Sequence, residues 1–275
     1  MILVTGATGL VGSHIVLALL RAGEDVRALK RPDSITIAID QLLKYHNVQD
    51  LQLSYAEGDV NDPISIKKAL EGCQRVFHCA AMVSFDRASE KLLFQVNVTG
   101  TANVVNACLR ENVPLTYISS TAAIGDVRIE GLLTEESVWT TDSGRSPYSL
   151  SKRYAELEVF RGIQEGLDAT IVNPGVVIGP GNWGQSSTTL FLSGQKGMRF
   201  YPSGGNGFVD ARDVAEISLA LSSQKTNGRH LLIGENLNFK NVFSMAAKQF
   251  NAKQPRLEVP KWLIVFVIGW LKFLE

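Results

Sequence analysis

Tyr148 and Lys152 stand four positions apart in "SPYSLSKRYAE", a spacing that puts both side chains on one face of a helix. They could be a proton donor beside the cation that tunes it, or two neighbours on an ordinary helix. The stretch alone does not decide between them. Near the start, "TGATGLVG" sets Gly6, Gly9 and Gly12 three apart, directly after an apolar β-branched run and opening a helical pattern. A turn of this kind can cradle a dinucleotide. Gly6 permits the tight turn, Gly9 lets backbone approach a pyrophosphate, and Gly12 lets helix pack on strand. The helix N-terminus then offers unpaired N–H groups to the phosphates. A Gly-rich turn without a ligand is the competing reading, and the strand before with the helix after favours the cofactor.

Further residues extend that site. The second strand ends "RALKRPDS", with Lys30 and Arg31 where a carboxylate would accept the ribose 2′-OH of NAD. A cation there suits a 2′-phosphate, so the expected cofactor is NADP with Arg31 as its main contact, NAD being the alternative. Two solvated basic residues in a loop would give the same letters. Asp59, in "EGDVND", is placed to accept from an adenine amino group or to cap a turn. Ala80 and Ala81, in "HCAAM", are small where backbone must pass close to ribose, as they would be at a packed strand end.

The elements that must position these residues alternate along the chain. "MILVT", "DVRALK", "LQLSYAEGD", "RVFHCAA", "LTYISS" and "DATIVNPG" read as strands, separated by helical or irregular stretches. Asp62 with Pro63 opens one helix, and another runs from Pro147 to about Gly166. Several strands are apolar on both faces, the pattern of a parallel sheet covered on both sides. The expected fold is therefore α/β, a doubly wound parallel Rossmann sheet with its ligands outside the carboxyl ends of the strands. "FVDARDVAEISLAL" and "GRHLLIG" add one more helix and strand to it. The division expected is 1–175 plus 210–235 for the dinucleotide-binding domain. A smaller, discontinuous C-terminal substrate lobe takes 176–209 plus 236–275, with Trp183, Phe191, Phe200 and Tyr201 as pocket wall or core.

Bulk composition narrows the partners. Lys plus Arg equal Asp plus Glu at 27 each, so no net field favours nucleic acid or an anionic membrane. Cys73, Cys79 and Cys108 lack metal-ligand spacing, and reduced thiols fit a cytoplasmic location better than a disulfide framework. The four His show no ligand spacing and read as packing or surface. "MILVTG" leaves no room for a cleavable leader. "VPKWLIVFVIGWLKFLE" is too short between Lys261 and Lys272 for a helical span and reads as a packed helix, the alternatives being a partner-facing or membrane-surface helix and a truncated hydrophobic segment, since it ends without a polar tail.

In this order the motifs resemble those of the extended short-chain dehydrogenase/reductases, over nearly the whole chain. "TGATGLVG", "GDV", "HCAA", "NVTGTANVV", "YISSTAA", "YSLSK", "NPGVVIGPG" and "FVDARDVA" carry the likeness. "VRALKRP" and "SPYSLSKRYAE" look most like the dihydroflavonol-4-reductase and 3β-hydroxysteroid dehydrogenase branch. The resemblance implies that Tyr148 exchanges a proton with the substrate oxygen, Lys152 tunes it and holds the nicotinamide ribose, and Thr121 supplies a hydroxyl to the reacting carbonyl. Ser120, one residue earlier, would exchange roles with Thr121 if the register slipped by one. Asn97 would hold a water relay to the lysine, or be a buried Asn bonded to backbone. Thr8, Leu10, Val60, Ser119 and Ser120 fall among the family's cofactor contacts. Pro174, Gly175 and Val176 match the segment passing the nicotinamide.

The activity implied is an NADP-dependent reductase moving a hydride between nicotinamide and a ketone or aldehyde carbon of a small carbonyl or alcohol substrate. A nucleotide-sugar epimerase or dehydratase with tightly bound NAD(P) is the alternative, and a non-catalytic dinucleotide sensor a second. Against the epimerase, Lys30–Arg31 replaces an Asp, and Arg212 falls later than the arginine that binds substrate phosphate there. Relatives of this kind often form homodimers through the helices flanking "YSLSK".

Overall fold

The computed structural model describes residues 1–49, 52–84, 86–125, 132–182, 186–224 and 226–260. Trp183, Phe85 of "FDRASE", and the apolar stretch 261–275 lie outside the described residues.

Six strands and the helices between them form the first two-thirds of the chain. They are β1 (Ile2–Thr5), β2 (Val26–Lys30), β3 (Leu53–Glu57), β4 (Arg75–His78), β5 (Leu115–Ile118) and β6 (Ala169–Pro174). The helices are α1 (Leu10–Arg21), α2 (Ile37–Tyr45), α3 (Pro63–Leu70), α4 (Glu90–Phe94), α5 (Gly100–Glu111) and α6 (Pro147–Gln164). After them come β7 (Val176–Ile178), α7 (Thr189–Lys196), β8 (Phe200–Pro202), β9 (Gly205–Asp210), α8 (Ala211–Gln224), β10 (Gly228–Leu232), β11 (Glu235–Asn238), α9 (Phe239–Gln249) and β12 (Leu257–Val259).

β10, β6, β5, β4, β1, β2 and β3 lie side by side in that order, every neighbouring pair parallel. Parallel strands expose both faces to helices, which is why β1, β5 and β6 are buried along their whole length. One face buries Ile15, Val16 and Leu19 of α1 with Ile39 of α2 and Val214 of α8. The other buries Ile66 of α3, Val104 and Val105 of α5, and Ala155 and Val159 of α6. Each of the larger buried side chains contributes about 1.5–3 kcal/mol over leaving it in water.

The order of strands reverses between β1 and β4, and there the loops part to leave a crevice. The glycine turn follows β1, and "CAA" follows β4, so both end at that crevice. β7, β9 and β11 make a separate three-stranded sheet, and β8 pairs with β12. α7 packs on α9 beside them. The polypeptide leaves the large sheet after Pro174, returns to it as β10, and leaves again.

Candidate active site

At one end of the crevice the walls are backbone. Gly6 has φ +63°, and a Cβ there would lie 2.5–2.7 Å from backbone atoms of Cys79 and Ala80. Gly12 is closed off differently: an added Cβ would run into the carbonyl oxygen of Gly6. Gly9 starts α1 with no side chain capping it, so the N–H groups of the first turn are left for an anion. Gly6, Thr8, Gly9, Asp59, Val60, Ala80 and Ala81 line one cavity of about 590 Å³. Its volume and its uncapped helix end fit a dinucleotide.

Around the rim, Arg31 also lines the cavity, as do Lys30, Ser34, Ile35 and Ile37. Ile35 and Ile37 are exposed apolar side chains that no motif singled out, although their alternation in "SITIAI" was legible. Arg31 is 58% exposed and lies 3.4 Å from Asp33. It borders a second hollow of about 580 Å³, whose walls also include Asp33, Glu57, Asp59 and Asp62. A phosphate there would meet one guanidinium among four carboxylates. Asp59 accepts the Asn61 N–H at 2.8 Å, the turn-capping arrangement, while still facing the cavity. Asn182 reaches across from beyond β7 and donates to the Thr8 carbonyl at 3.3 Å.

Tyr148, Ser120 and Lys152 do not line that cavity; they gather after β5, at the carboxyl end of the same sheet. α6 begins at the site itself: Ser146 caps it by accepting from Ser149 N–H at 3.1 Å, and Pro147 is the first helical residue. Its first turn is anchored on two sides. Ser149 donates to the Ala122 carbonyl at 2.6 Å, and Ser151 accepts from Asn97 at 2.9 Å. Tyr148 thereby meets the chain that follows β5. Ser120 is the hydroxyl that acts on its phenol, and Thr121 opens the short turn Thr121–Ala123. Ser120 also caps that turn, accepting from Ala122 N–H at 3.1 Å. Burial pushes the Tyr148 phenol above its ordinary value and the Ser120 bond draws it part of the way back.

Lys152 lies beneath, 2% exposed. Its ammonium donates to the Ile118 carbonyl at 2.9 Å and the Tyr117 hydroxyl at 3.1 Å. Burial lowers its pKa to about 8, against an upward pull from Glu156. Under Tyr117 lies His78, stacked at 5.4 Å and bonded to Thr5 (2.6 Å) and Thr101 (3.0 Å). Thr101 gives its own proton to the Asn97 carbonyl, so His78 Nε2 donates and Nδ1 accepts from Thr5. Burial holds this imidazole neutral, with a pKa down to about 3.

Asn97 sits in a π-type turn, Gln95–Thr99, between α4 and α5. Its amide exchanges two hydrogen bonds with the Met82 backbone, at 2.7 and 3.0 Å, and its third goes to Ser151. This is the backbone-bonded arrangement. Ser119, counted among cofactor contacts on sequence, points inward instead and donates to Glu156 at 2.9 Å. Gly175 is where β6 passes β9; a Cβ would strike the Gly207 carbonyl. Arg212 closes both ends of its fork on Asp210, at 2.5 and 2.8 Å. Among the described residues no cluster of His, Cys, Asp or Glu could hold a metal, and no helix is long and apolar enough to cross a membrane.

The chain has relatives among known proteins. The NAD dependent epimerase/dehydratase family model matches residues 2–234. Sterol demethylase protein B of Methylococcus capsulatus is 33% identical over 266 residues, covering 95% of this chain and 78% of that protein. Cinnamoyl-CoA reductase 1 of Oryza sativa subsp. japonica is 31% identical over 267 residues, covering 91% and 76%. The crystal structure of gox2253 superposes with a TM-score of 0.85 at 33% identity, covering 98% of this chain and 82% of that one.

Proposed function

This chain belongs to the NAD-dependent epimerase/dehydratase family, whose members are NAD(P)-dependent enzymes, and from that premise we propose that it is a reductase of ketones or aldehydes that prefers NADPH. The observation that carries the reading is the state of Tyr148. Its phenol is held protonated by burial beside Ser120, after β5 at the carboxyl end of the same parallel sheet whose β1 leads into the glycine turn. A phenol in that state is an acid waiting for an alkoxide. When bound, the nicotinamide dinucleotide supplies a hydride to the carbonyl carbon.

The chain's own residues do the rest. Gly6, Gly9 and the open end of α1 would hold the pyrophosphate, and Ala80 and Ala81 let the ribose pass. Ser120 would share its hydroxyl between Tyr148 and the substrate oxygen, the role that the family resemblance gives to Thr121 or, one residue earlier, to Ser120. Tyr148 would give its proton to that oxygen. Lys152, buried beneath on the same helix face, would favour the tyrosinate left behind. Arg31, with Lys30, would grip a 2′-phosphate, in competition with the carboxylates of Asp33 and Glu57 across the hollow.

Two further features favour reduction over sugar epimerisation. Arg212 spends its fork on Asp210, and the Oryza relative is named as a reductase. The test is NADPH consumption against panels of aldehydes, ketones, flavonoids and steroids. Stoichiometric oxidation of NADPH supports the reductase. Turnover of a nucleotide sugar on a catalytic amount of dinucleotide would replace it with the epimerase.

A further inference from the structure

Behind the proposed catalytic pair lies a buried ion pair with no part in the proton transfer. Glu156 is on α6, one turn beyond Lys152 and two beyond Tyr148, so the three share a face. Its carboxylate is fully buried. Oε1 meets Arg229 Nε at 2.5 Å. Oε2 accepts from Ser119 Oγ at 2.9 Å and from Asn173 Nδ2 at 3.2 Å. The same Asn173 amide donates to the Ser120 carbonyl at 2.9 Å. Arg229 comes from β10, is 12% exposed, and lies 5.4 Å from the centre of the Phe160 ring. It also donates to the Glu135 carbonyl at 3.3 Å, while the Glu135 carboxylate accepts the Leu231 N–H at 2.8 Å. One carboxylate thus joins α6 to the ends of β5 and β6 and to β10.

A buried ion pair is a poor way to gain stability, because desolvation offsets most of the attraction and apolar residues of like volume do as well. Its partners here suggest another use. We propose that Glu156 is a positioning residue of this site: through Ser119 and Asn173 it fixes the strand ends beneath Ser120, and it supplies the fixed negative charge opposite the buried ammonium of Lys152. The groups facing that ammonium are few. β5 presents the Tyr117 hydroxyl and the Ile118 carbonyl. From β4 and the residue after it come His78, which is neutral, and Cys79, whose thiol burial pushes up to about 12. α6 itself presents Glu156. At neutral pH Glu156 is the formal negative charge in that set. Arg153 and Arg229 act on Glu156 in turn.

The proposal rests on the reading of Tyr148 and Lys152 as the catalytic pair, yet its readout needs no turnover. Lysine labelled with ¹³C at Cε lets Lys152 be titrated by NMR, with Lys152→Met to identify its signal. Glu156→Gln keeps the shape and removes the charge, so Lys152 should titrate lower than in the wild type by ~1 unit, the scale of losing one close opposite charge. The alkaline limb of kcat/KM should move down with it. Glu156→Asp, which keeps the charge, should restore the wild-type titration. A merely structural role predicts the opposite sign. Loosened packing admits water and lifts the ammonium back toward its ordinary 10.5. An unchanged or raised titration in Glu156→Gln therefore overturns the proposal. If that single variant does not fold, the double variant Glu156→Gln/Arg229→Gln is compared with Arg229→Gln alone, so that only the Glu156 charge differs, with the same lowering expected between those two and the same results overturning it. Failure of the catalytic reading looks different: full turnover in Tyr148→Phe, with the lysine titration untouched.

Discussion

At the glycine turn, the crevice is shaped by atoms that every residue carries. Carbonyl oxygens and Cα atoms stand where a single methyl would collide. Around Tyr148, after β5, the molecule is shaped by what residues carry individually. A phenol, a hydroxyl, an ammonium and a carboxylate arrive from α6 and from the chain after β5 and β6. The first end selects by volume and tolerates almost no added atom. The second selects by proton affinity, and there a substitution of equal size can be the worst one.

Four substitutions would sharpen or break that contrast. The largest effect belongs to Tyr148→Phe, which removes one oxygen and no volume. Turnover should fall about 10²–10⁴-fold, while NADPH affinity, read by fluorescence, stays at the wild-type value. Normal turnover would remove Tyr148 from the chemistry. Gly12→Ala adds one carbon at the other end. It should abolish the thermal shift given by NADP and destabilise the cofactor-free protein by about 1–3 kcal/mol, read from urea unfolding. An unimpaired shift would mean that the turn yields more than its geometry suggests.

Arg31→Ala should come next. Removing one charge-assisted contact should cut the NADPH-to-NADH preference about tenfold. An unchanged ratio would show that the carboxylates around Arg31 had already cancelled it. Lys152→Met comes last and is read through the pH dependence of stability. Burial lowers Lys152 from 10.5 to about 8, so between those values the unfolded chain holds a proton that the folded one has lost. Stability of the wild type should then rise with pH across that window relative to Lys152→Met. Urea midpoints measured at pH 8 and pH 10.5 check the sign, and a falling difference would contradict it.

The same contrast explains what could be read from the letters. Strand, glycine turn and helix are adjacent in the chain, so the shape of Gly6–Gly12 and the parallel sheet behind it follow from local pattern. Tyr148 and Lys152 are also one local motif. Glu156 repeats their four-residue step in "YSLSKRYAE", a signal that was present and passed over. Its partner was not legible: Arg229 is 73 positions away in "GRHLLIG", where an arginine at an edge strand looks solvent-facing. Ser119, Ser120 and Thr121 were adjacent hydroxyls without any pattern to rank them. Only backbone geometry after β5 sends the first inward to Glu156 and leaves the second beside the phenol.

β10 is the seventh strand of the sheet and the last to be synthesised, and it occupies an outer edge. A ribosome-bound chain can complete the glycine turn and all of α6 while the guanidinium for Glu156 is still unmade. Until then a carboxylate must be buried without its counter-ion, and such a state is strongly disfavoured. A proteolytic fragment ending within α8 should accordingly keep its helices and yet fail to close the Tyr148 end. In this molecule the final edge strand works as a latch on completeness.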